Sequence, residues 1–506
     1  MPRLKIFSKW AIPILLFLIL SFDGKTHWDE TNFLYKAAYA PYDSGELWLN
    51  TPFYYVRIAH LGVLRLLFLV FGKGISGLFA VESAMALMII CGAFLFYKAL
   101  SLFFSNNNKF YPVFLAFLFV PLSIYLGYKA LGETTAIFFA SLSLFLYAAG
   151  LERRSSGSRI VLIVCSAFSL FIASFAREAI ILGFFSFTFS FAILGGRNIR
   201  RVLRNLLLVA AIWLILYIVV YFLFGIRCTD YVFKGLTPDQ VAKDIAEYPP
   251  NIVGIFFFGG GLWLLAIIAL VSLKDRPTRV ALLSIALAII PISIRANHIE
   301  MRYLIPGIYG FALLAGIGLG NTYRYARKIV GYKLGLVISS GLFIAIVGAN
   351  QLLRPFDQVG TDGKKTVCLM GRILSEYKDP FLIVAHPHST YSFIRICYPD
   401  QRIALDRMFY DQTPLMVKTP EDVIRQEGPY LYFSPRGSKT KPLLLKLYYK
   451  LRGINSSTTD DTIIPKDSWI TRSDYFRIEL MDKEEPYRVY RLESGDVIKD
   501  TQGQVR

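Results

Sequence analysis

Charge is what this sequence has least of. Asp, Glu, Lys and Arg make up 18% of its 506 residues, against roughly 25% in an average soluble domain. Acids are the scarcer half, 36 against 55 Lys plus Arg. Cysteine is rare too, five residues with no Cys-x-x-Cys pair, and that excludes a disulfide scaffold. The shortage of charge also excludes a disordered chain, which stays unfolded through low hydrophobicity and high net charge. Apolar residues fill the space instead: 55% are hydrophobic and 15% aromatic.

A formal net charge of +19 would suit a polyanion binder, so its location matters. Residues 1–353 hold 31 Lys/Arg and 15 Asp/Glu, whereas residues 354–506 hold 24 and 21. The excess therefore belongs to the hydrophobic part of the chain, and nucleic acid is not among the expected partners.

A helix needs about 20 mostly apolar residues to cross a bilayer. Suitable runs occur near residues 6–22, 79–98, 110–128, 133–150, 160–176, 179–195, 206–226, 251–272, 280–296, 303–320 and 334–353. The first follows a charged start but leads into no small-residue cleavage site, so it reads as a retained helix and not a signal peptide. Basic clusters at Arg3/Lys5/Lys9, Lys98/Lys109, Arg153/Arg154/Arg159, Arg197/Arg200/Arg201/Arg204, Lys274/Arg276/Arg279 and Arg324/Arg327/Lys328/Lys333 fall in alternate loops, with only Glu152 and Asp275 as acids among them. The excess of Lys and Arg marks that side as cytoplasmic.

Residues 53–72 are apolar enough to tempt a twelfth span, but they carry Arg57, His60 and Arg65 on one face. Counting them as a span would put every later basic loop outside, so an interfacial amphipathic helix within a first external loop at 23–78 fits better. The expectation is a polytopic α-helical membrane protein of about 11 transmembrane helices over residues 1–353. Residues 354–506 follow as a small extracytoplasmic α/β domain. Its strands are expected at 381–385, 402–406 and 430–433, its helices at 389–397 and 442–451, and a closing hairpin at 475–480 and 487–491.

In this topology the unusual polar residues collect on the outer face. Asp29 and Glu30 follow the first span, and Glu133 opens the fourth. Arg177 and Glu178 turn between the fifth and sixth, and Arg295, His298, Glu300, Arg302 and Tyr303 between the ninth and tenth. Charge near a membrane interior is costly and usually pairs or lines a cavity. Each residue also has a structural explanation. Asp29 would cap a short helix beginning near Thr31, and Glu133 would be a helix N-terminal acid. Arg177 and Glu178 would pair in a tight hairpin, and Arg302 with Tyr303 would be a snorkelling Arg and a belt Tyr. Their placement on one face is what favours a site.

Three stretches carry a resemblance: Trp28-Asp29-Glu30-Thr-Asn-Phe-Leu-Tyr35, Thr51-Pro52-Phe53-Tyr54-Tyr55, and Arg302-Tyr303-Leu304-Ile305-Pro306. Over about residues 5–320 the chain resembles the glycosyltransferase C superfamily, nearest its protein O-mannosyltransferase and lipid A aminoarabinose transferase group. The resemblance implies a polyprenyl-phosphate-linked sugar as donor, work on the outer face of the cell membrane, Asp29 as catalytic base and Glu30 as its neighbour. Where that family often has a cation before Pro-Pro-Leu-Tyr, this chain has Asn50-Thr51-Pro52-Phe53. Where it tends to have an Arg near the start of the second span, this chain has Glu82.

The chemistry such a transfer needs is consistent with these residues. A base takes the acceptor proton as an oxocarbenium-like centre develops, and direct displacement with one carboxylate inverts the anomeric centre. The leaving phosphate needs fixed cations. Arg177 and Arg302 are the candidates, with Glu133, Glu178, Tyr54 and Tyr303 as further substrate-binding residues. The acceptor is a lipid, a protein or a glycan. No cofactor is required, although Asp29 and Glu30 are residue types that bind divalent metal. Two other readings stay open: a transporter or flippase of lipid-linked saccharides, and a non-catalytic partner in polysaccharide assembly. His386-Pro-His388 has no partner cluster in sequence and reads as a loop.

Overall fold

The computed structural model describes residues 2–22, 26–39, 57–105, 110–153, 155–224, 252–295 and 301–353. In the tail it describes 360–361, 371, 381–384, 394–401, 403–406, 416–417, 430–435, 476–482 and 487–494. The chain divides into two compact units. The first comprises Met1–Phe22, Tyr55–Val63 and Glu82–Arg354; the second comprises Asp23–Tyr54, Leu64–Val81 and Pro355–Arg506.

Among the described residues every apolar run of the sequence lies on helix, but two of the runs are broken. One run forms Tyr111–Phe119 and Pro121–Leu126. Between them Val120 is extended at φ −54° and ψ 131°, as the ring of a following proline favours. The other forms Ile252–Gly259 and Leu262–Ala269. There Gly260 takes φ +50°, where side chains are disfavoured, and the Gly261 N–H donates to Asn350 Oδ1 at 2.7 Å. The Gly259–Gly261 stretch is therefore a point of close helix packing. Among the described residues six helices are long and apolar enough to cross a membrane: Ile75–Phe103, Gly132–Glu152, Ser156–Ser174, Ile199–Val220, Arg302–Val330 and Tyr332–Asn350.

Lipid offers helices no hydrophobic reason to associate, so packing and small polar side chains hold them together. The first unit follows that logic. Ser143 Oγ donates to the Ser166 carbonyl (2.8 Å) and Ser166 Oγ to the Ser143 carbonyl (2.9 Å), clasping helices 132–152 and 156–174. Phe96, Phe103, Phe117, Tyr147, Phe187 and Tyr309 pack as buried rings. Large apolar side chains such as Ile12, Leu207 and Phe222 point outward, exposed.

Among the described residues, connections of the first unit gather at two ends. At one, the Arg197 guanidinium pairs with Glu152 and donates to the carbonyls of Leu102 (2.6 Å) and Phe103 (3.2 Å). Arg201 donates to the Arg153 carbonyl (2.9 Å), and Gly196 lies against the Arg276 side chain. Asn321 donates to Ser272 (2.9 Å) and accepts from Arg324. These are connections that the charge pattern assigns to one side. The connections at 57–60, 129–135, 175–179 and 301–307 meet at a different place.

In the second unit, β1 (Thr26–His27) pairs antiparallel with β2 (Gly360–Thr361), and the Gly74 N–H donates to the Ile396 carbonyl at 3.0 Å. The first loop is thus built together with the tail. The helix Trp28–Tyr39 follows β1 directly, so Asp29 and Glu30 stand in its first turn and not ahead of a helix beginning near Thr31. Glu30 is fully buried, as are Phe33 and Leu34. Burial also pushes the Lys36 ammonium down, to about 8.

The tail carries a six-stranded sheet in the order β5-β4-β3-β6-β8-β7. Its strands are β3 (Phe381–Val384), β4 (Ile403–Asp406), β5 (Met416–Val417), β6 (Tyr430–Pro435), β7 (Phe476–Asp482) and β8 (Tyr487–Ser494). β5, β4, β3 and β6 run parallel, and β8 and β7 close the sheet antiparallel. The strands sit where the apolar runs and the hairpin pattern put them. Of the expected helix at 389–397, residues 394–397 are described and helical; that at 442–451 lies outside the described residues.

Candidate active site

Two glycines let the site close. Gly132 begins the helix that carries Glu133 in its first turn, where the helix dipole favours an acid. A Cβ on Gly132 would run into the Ala176 carbonyl, so the start of that helix lies directly against the 175–179 turn. The turn carries Arg177, whose Nε stands 3.3 Å from Glu133 Oε1 and whose Nη1 stands 3.9 Å from Glu178 Oε1. On the other side, a Cβ on Gly183 would meet the Pro306 carbonyl at 2.7 Å. The 3-10 segment Met301–Gly307 therefore lies close on helix Ile180–Leu194. It brings the Tyr303 ring within 5.0 Å of the Arg177 guanidinium and 5.4 Å of the Arg302 guanidinium.

These are not surface charges. Glu133 is 0% exposed, Arg177 2%, Arg302 4% and Glu178 8%. The snorkelling expected of Arg302 does not occur; the segment's packing turns it inward. A buried guanidinium needs paired carboxylates or an anion to offset its lost hydration, and Arg177 has two acids beside it.

Helix Ile58–Phe71 adds a further wall. Its polar face is real but turned inward: Arg57 and His60 are buried, while Ile58, Leu66, Leu69 and Val70 are exposed. The Ala59 N–H donates to the Phe175 carbonyl at 3.2 Å. His60 Nε2 lies 3.1 Å from the Ala130 carbonyl and Nδ1 2.9 Å from Thr135 Oγ1. A carbonyl only accepts, so Nε2 carries the proton and Nδ1 accepts from the threonine. Burial, with a smaller push from the Arg57 charge, holds the imidazole down to about 3 against the stabilising Ala130 bond, so it is neutral. Thr134 Oγ1 donates to the carbonyls of Leu126 and Lys129, both at 3.2 Å, and fixes the same turn. Glu82 is buried as well.

The first unit thus brings together Glu133, Arg177, Glu178, Arg302 and Tyr303, with Arg57, His60 and Thr135 added. The sequence signal for the addition was the polar stripe on an otherwise apolar segment. Asp29 and Glu30 belong to the second unit, and the Asp29 side chain lies outside the described residues. Tyr54, His298, Glu300, His386, His388 and the Arg295 side chain also lie outside them. Among the described residues no group of three or more His, Cys, Asp or Glu side chains is placed to hold a metal ion.

The chain is similar to ArnT from Cupriavidus metallidurans in its apo state, with a TM-score of 0.55 and 12% identity over 97% of this chain and 98% of that one. It is similar to the same protein bound to undecaprenyl phosphate, with a TM-score of 0.53 and 12% identity over 96% and 98%. No protein-family model matches the sequence, and neither does any curated protein.

Proposed function

We propose that the protein is a membrane glycosyltransferase that moves a sugar from a polyprenyl-phosphate donor to a lipid, protein or glycan acceptor on the outer face. The observation that carries this reading is the buried Glu133–Arg177–Glu178 group beneath Tyr303 and Arg302. It occurs in a chain with the fold of a protein crystallised with undecaprenyl phosphate. Support for the sidedness comes from the basic loops meeting at an end apart from this cluster, and from the first loop and the tail sharing one unit.

In this reading eleven helices cross the membrane within residues 1–353, and residues 354–506 form an extracytoplasmic α/β domain. Arg177 and Arg302 hold the donor phosphate, since a guanidinium offers two parallel donors to a phosphate. Glu133 and Glu178 keep Arg177 in place, and Tyr303 and Tyr54 bound the donor. Asp29, with Glu30 beside it, takes the acceptor proton. The acceptor oxygen bonds to the anomeric carbon as the bond from that carbon to the phosphate oxygen breaks. The polyprenyl phosphate leaves with the electron pair, and the anomeric configuration inverts. Helix 58–71, apolar on its outer face, lies at the membrane surface by the donor's path. A transporter would place ionisable groups near the bilayer midplane, whereas the cluster here is built from loop and helix-end residues.

The test is to give the purified protein a panel of polyprenyl-phosphate sugars with membrane-derived acceptors and to look for glycosylated product by mass spectrometry. Transfer from one donor class is expected. No transfer from any donor, together with movement of lipid-linked saccharide across proteoliposomes, would replace this reading with the transporter.

A further inference from the structure

A second polar site stands at the basic end of the first unit, away from the cluster just described. Helix Ile199–Phe224 and helix Ser156–Ser174 run parallel. Arg201 Nη2 reaches the Arg153 carbonyl just before the second of these begins (2.9 Å), and Trp213 Nε1 reaches Ser174 Oγ at its far end (3.1 Å). Their N-termini, with the positive ends of their dipoles, therefore lie side by side. Ser155, which caps helix 156–174, makes no side-chain cap bond, and the space beside Gly157 is open.

Two buried donors face no acceptor there. Arg201 Nε and, one turn on, Asn205 Nδ2 have no hydrogen-bond partner among the described residues, and Asn205 is 4% exposed. Leaving a buried donor without an acceptor is costly, more so when it is charged, so two on one turn point to a ligand that supplies oxygen. The stripe they begin continues at a 3.5-residue spacing through Leu208, Ile215 and Val219. Those three are 37%, 60% and 45% exposed. A cationic, donor-rich head followed by an open apolar track has the chemistry of one lipid.

We infer that Arg201 and Asn205, with the two adjoining helix N-termini, bind the phosphate headgroup of an anionic phospholipid whose chain lies along Leu208, Ile215 and Val219. Arg201 is held for this by the bond of its Nη2 to the Arg153 carbonyl, which does not use Nε. The exposed neighbours Arg200 and Arg204 supply general positive potential, which attracts anionic lipid but selects no position.

The full chain, purified and delipidated in detergent, is titrated with phosphatidylglycerol, phosphatidylcholine or inorganic phosphate. Bound lipid is followed by native mass spectrometry and stability by thermal unfolding. Phosphatidylglycerol is expected to be retained at one molecule per chain and to raise the unfolding temperature. Arg204→Gln should weaken retention only by the few-fold that one cation's general attraction supplies, whereas Arg201→Gln, with the same loss of charge, should weaken it by tenfold or more. Asn205→Leu, which changes no charge, should weaken it too and serves if Arg201→Gln does not fold. Equal retention by Arg201→Gln, Asn205→Leu and Arg204→Gln would overturn the site. Equal protection by inorganic phosphate would overturn the lipid as its occupant.

Discussion

Arg177 holds its Nε 3.3 Å from Glu133 Oε1 with both side chains withdrawn from solvent. Removing one partner from such a pair strands a charge, at a typical cost of about 3–5 kcal/mol, whereas replacing both with apolar residues is often neutral. Arg177→Met, which removes the cation beside both Glu133 and Glu178, should lower stability by about that much, and Glu133→Leu by less, since Glu178 stays beside Arg177. The double variant should be far more stable than the sum predicts, yet inactive. A double-mutant cycle in thermal unfolding, run beside the transfer assay, checks both statements.

His60 gives the stability profile a sign. Its folded pKa is about 3 against an ordinary 6.5, so from pH 6.5 down to 3 the unfolded chain binds a proton that the folded one refuses. Stability therefore falls as pH falls through that window and is insensitive to His60 above it. His60→Gln should flatten this part of the curve. Unfolding temperatures measured from pH 8 to pH 4 for both proteins test this.

At Gly132 even a methyl group meets the Ala176 carbonyl. Gly132→Ala should cost about 1–3 kcal/mol, the usual range for overpacking. It should also pull Glu133 away from Arg177. The expected reading is a lower unfolding temperature together with weaker donor binding. A loss of stability with donor binding intact would separate the glycine from the site.

Tyr303 lies between two guanidiniums at 5.0 and 5.4 Å, a geometry in which the ring face attracts each cation. Tyr303→Phe keeps that face and should be close to wild type in stability. Tyr303→Leu removes it and should cost about 0.5–2 kcal/mol. The same ranking should appear in KM for the donor.

Much of this arrangement is legible in the sequence because bilayer length and loop charge are one-dimensional signals. Glu133, Arg177, Glu178, Arg302 and Tyr303 come together as the alternation of basic loops implies. The break at Val120–Pro121 was readable from the proline, but apolar content alone passes over it, as it does over Gly260. The orientation of Arg302 was not readable. It depends on how closely the 301–307 segment lies on Gly183, a tertiary contact that turns a snorkelling position into a buried one. Nor was the His60–Thr135 bond, since a stripe of Arg57, His60 and Arg65 does not say whether its polar side meets water or protein. The exposed Cys165 makes the same point, because an apolar helix looks alike from its lipid side and its packed side.

In the proposed transfer from polyprenyl phosphate, Asp29 removes the acceptor proton. Asp29→Asn, expressed in membranes and given the accepted donor, tests it most directly. Initial rates are compared with wild type at equal protein level and equal unfolding temperature. A loss of about 10²–10⁴-fold in rate is expected, the usual contribution of a positioned base, with donor binding retained. Turnover at the wild-type rate would contradict it.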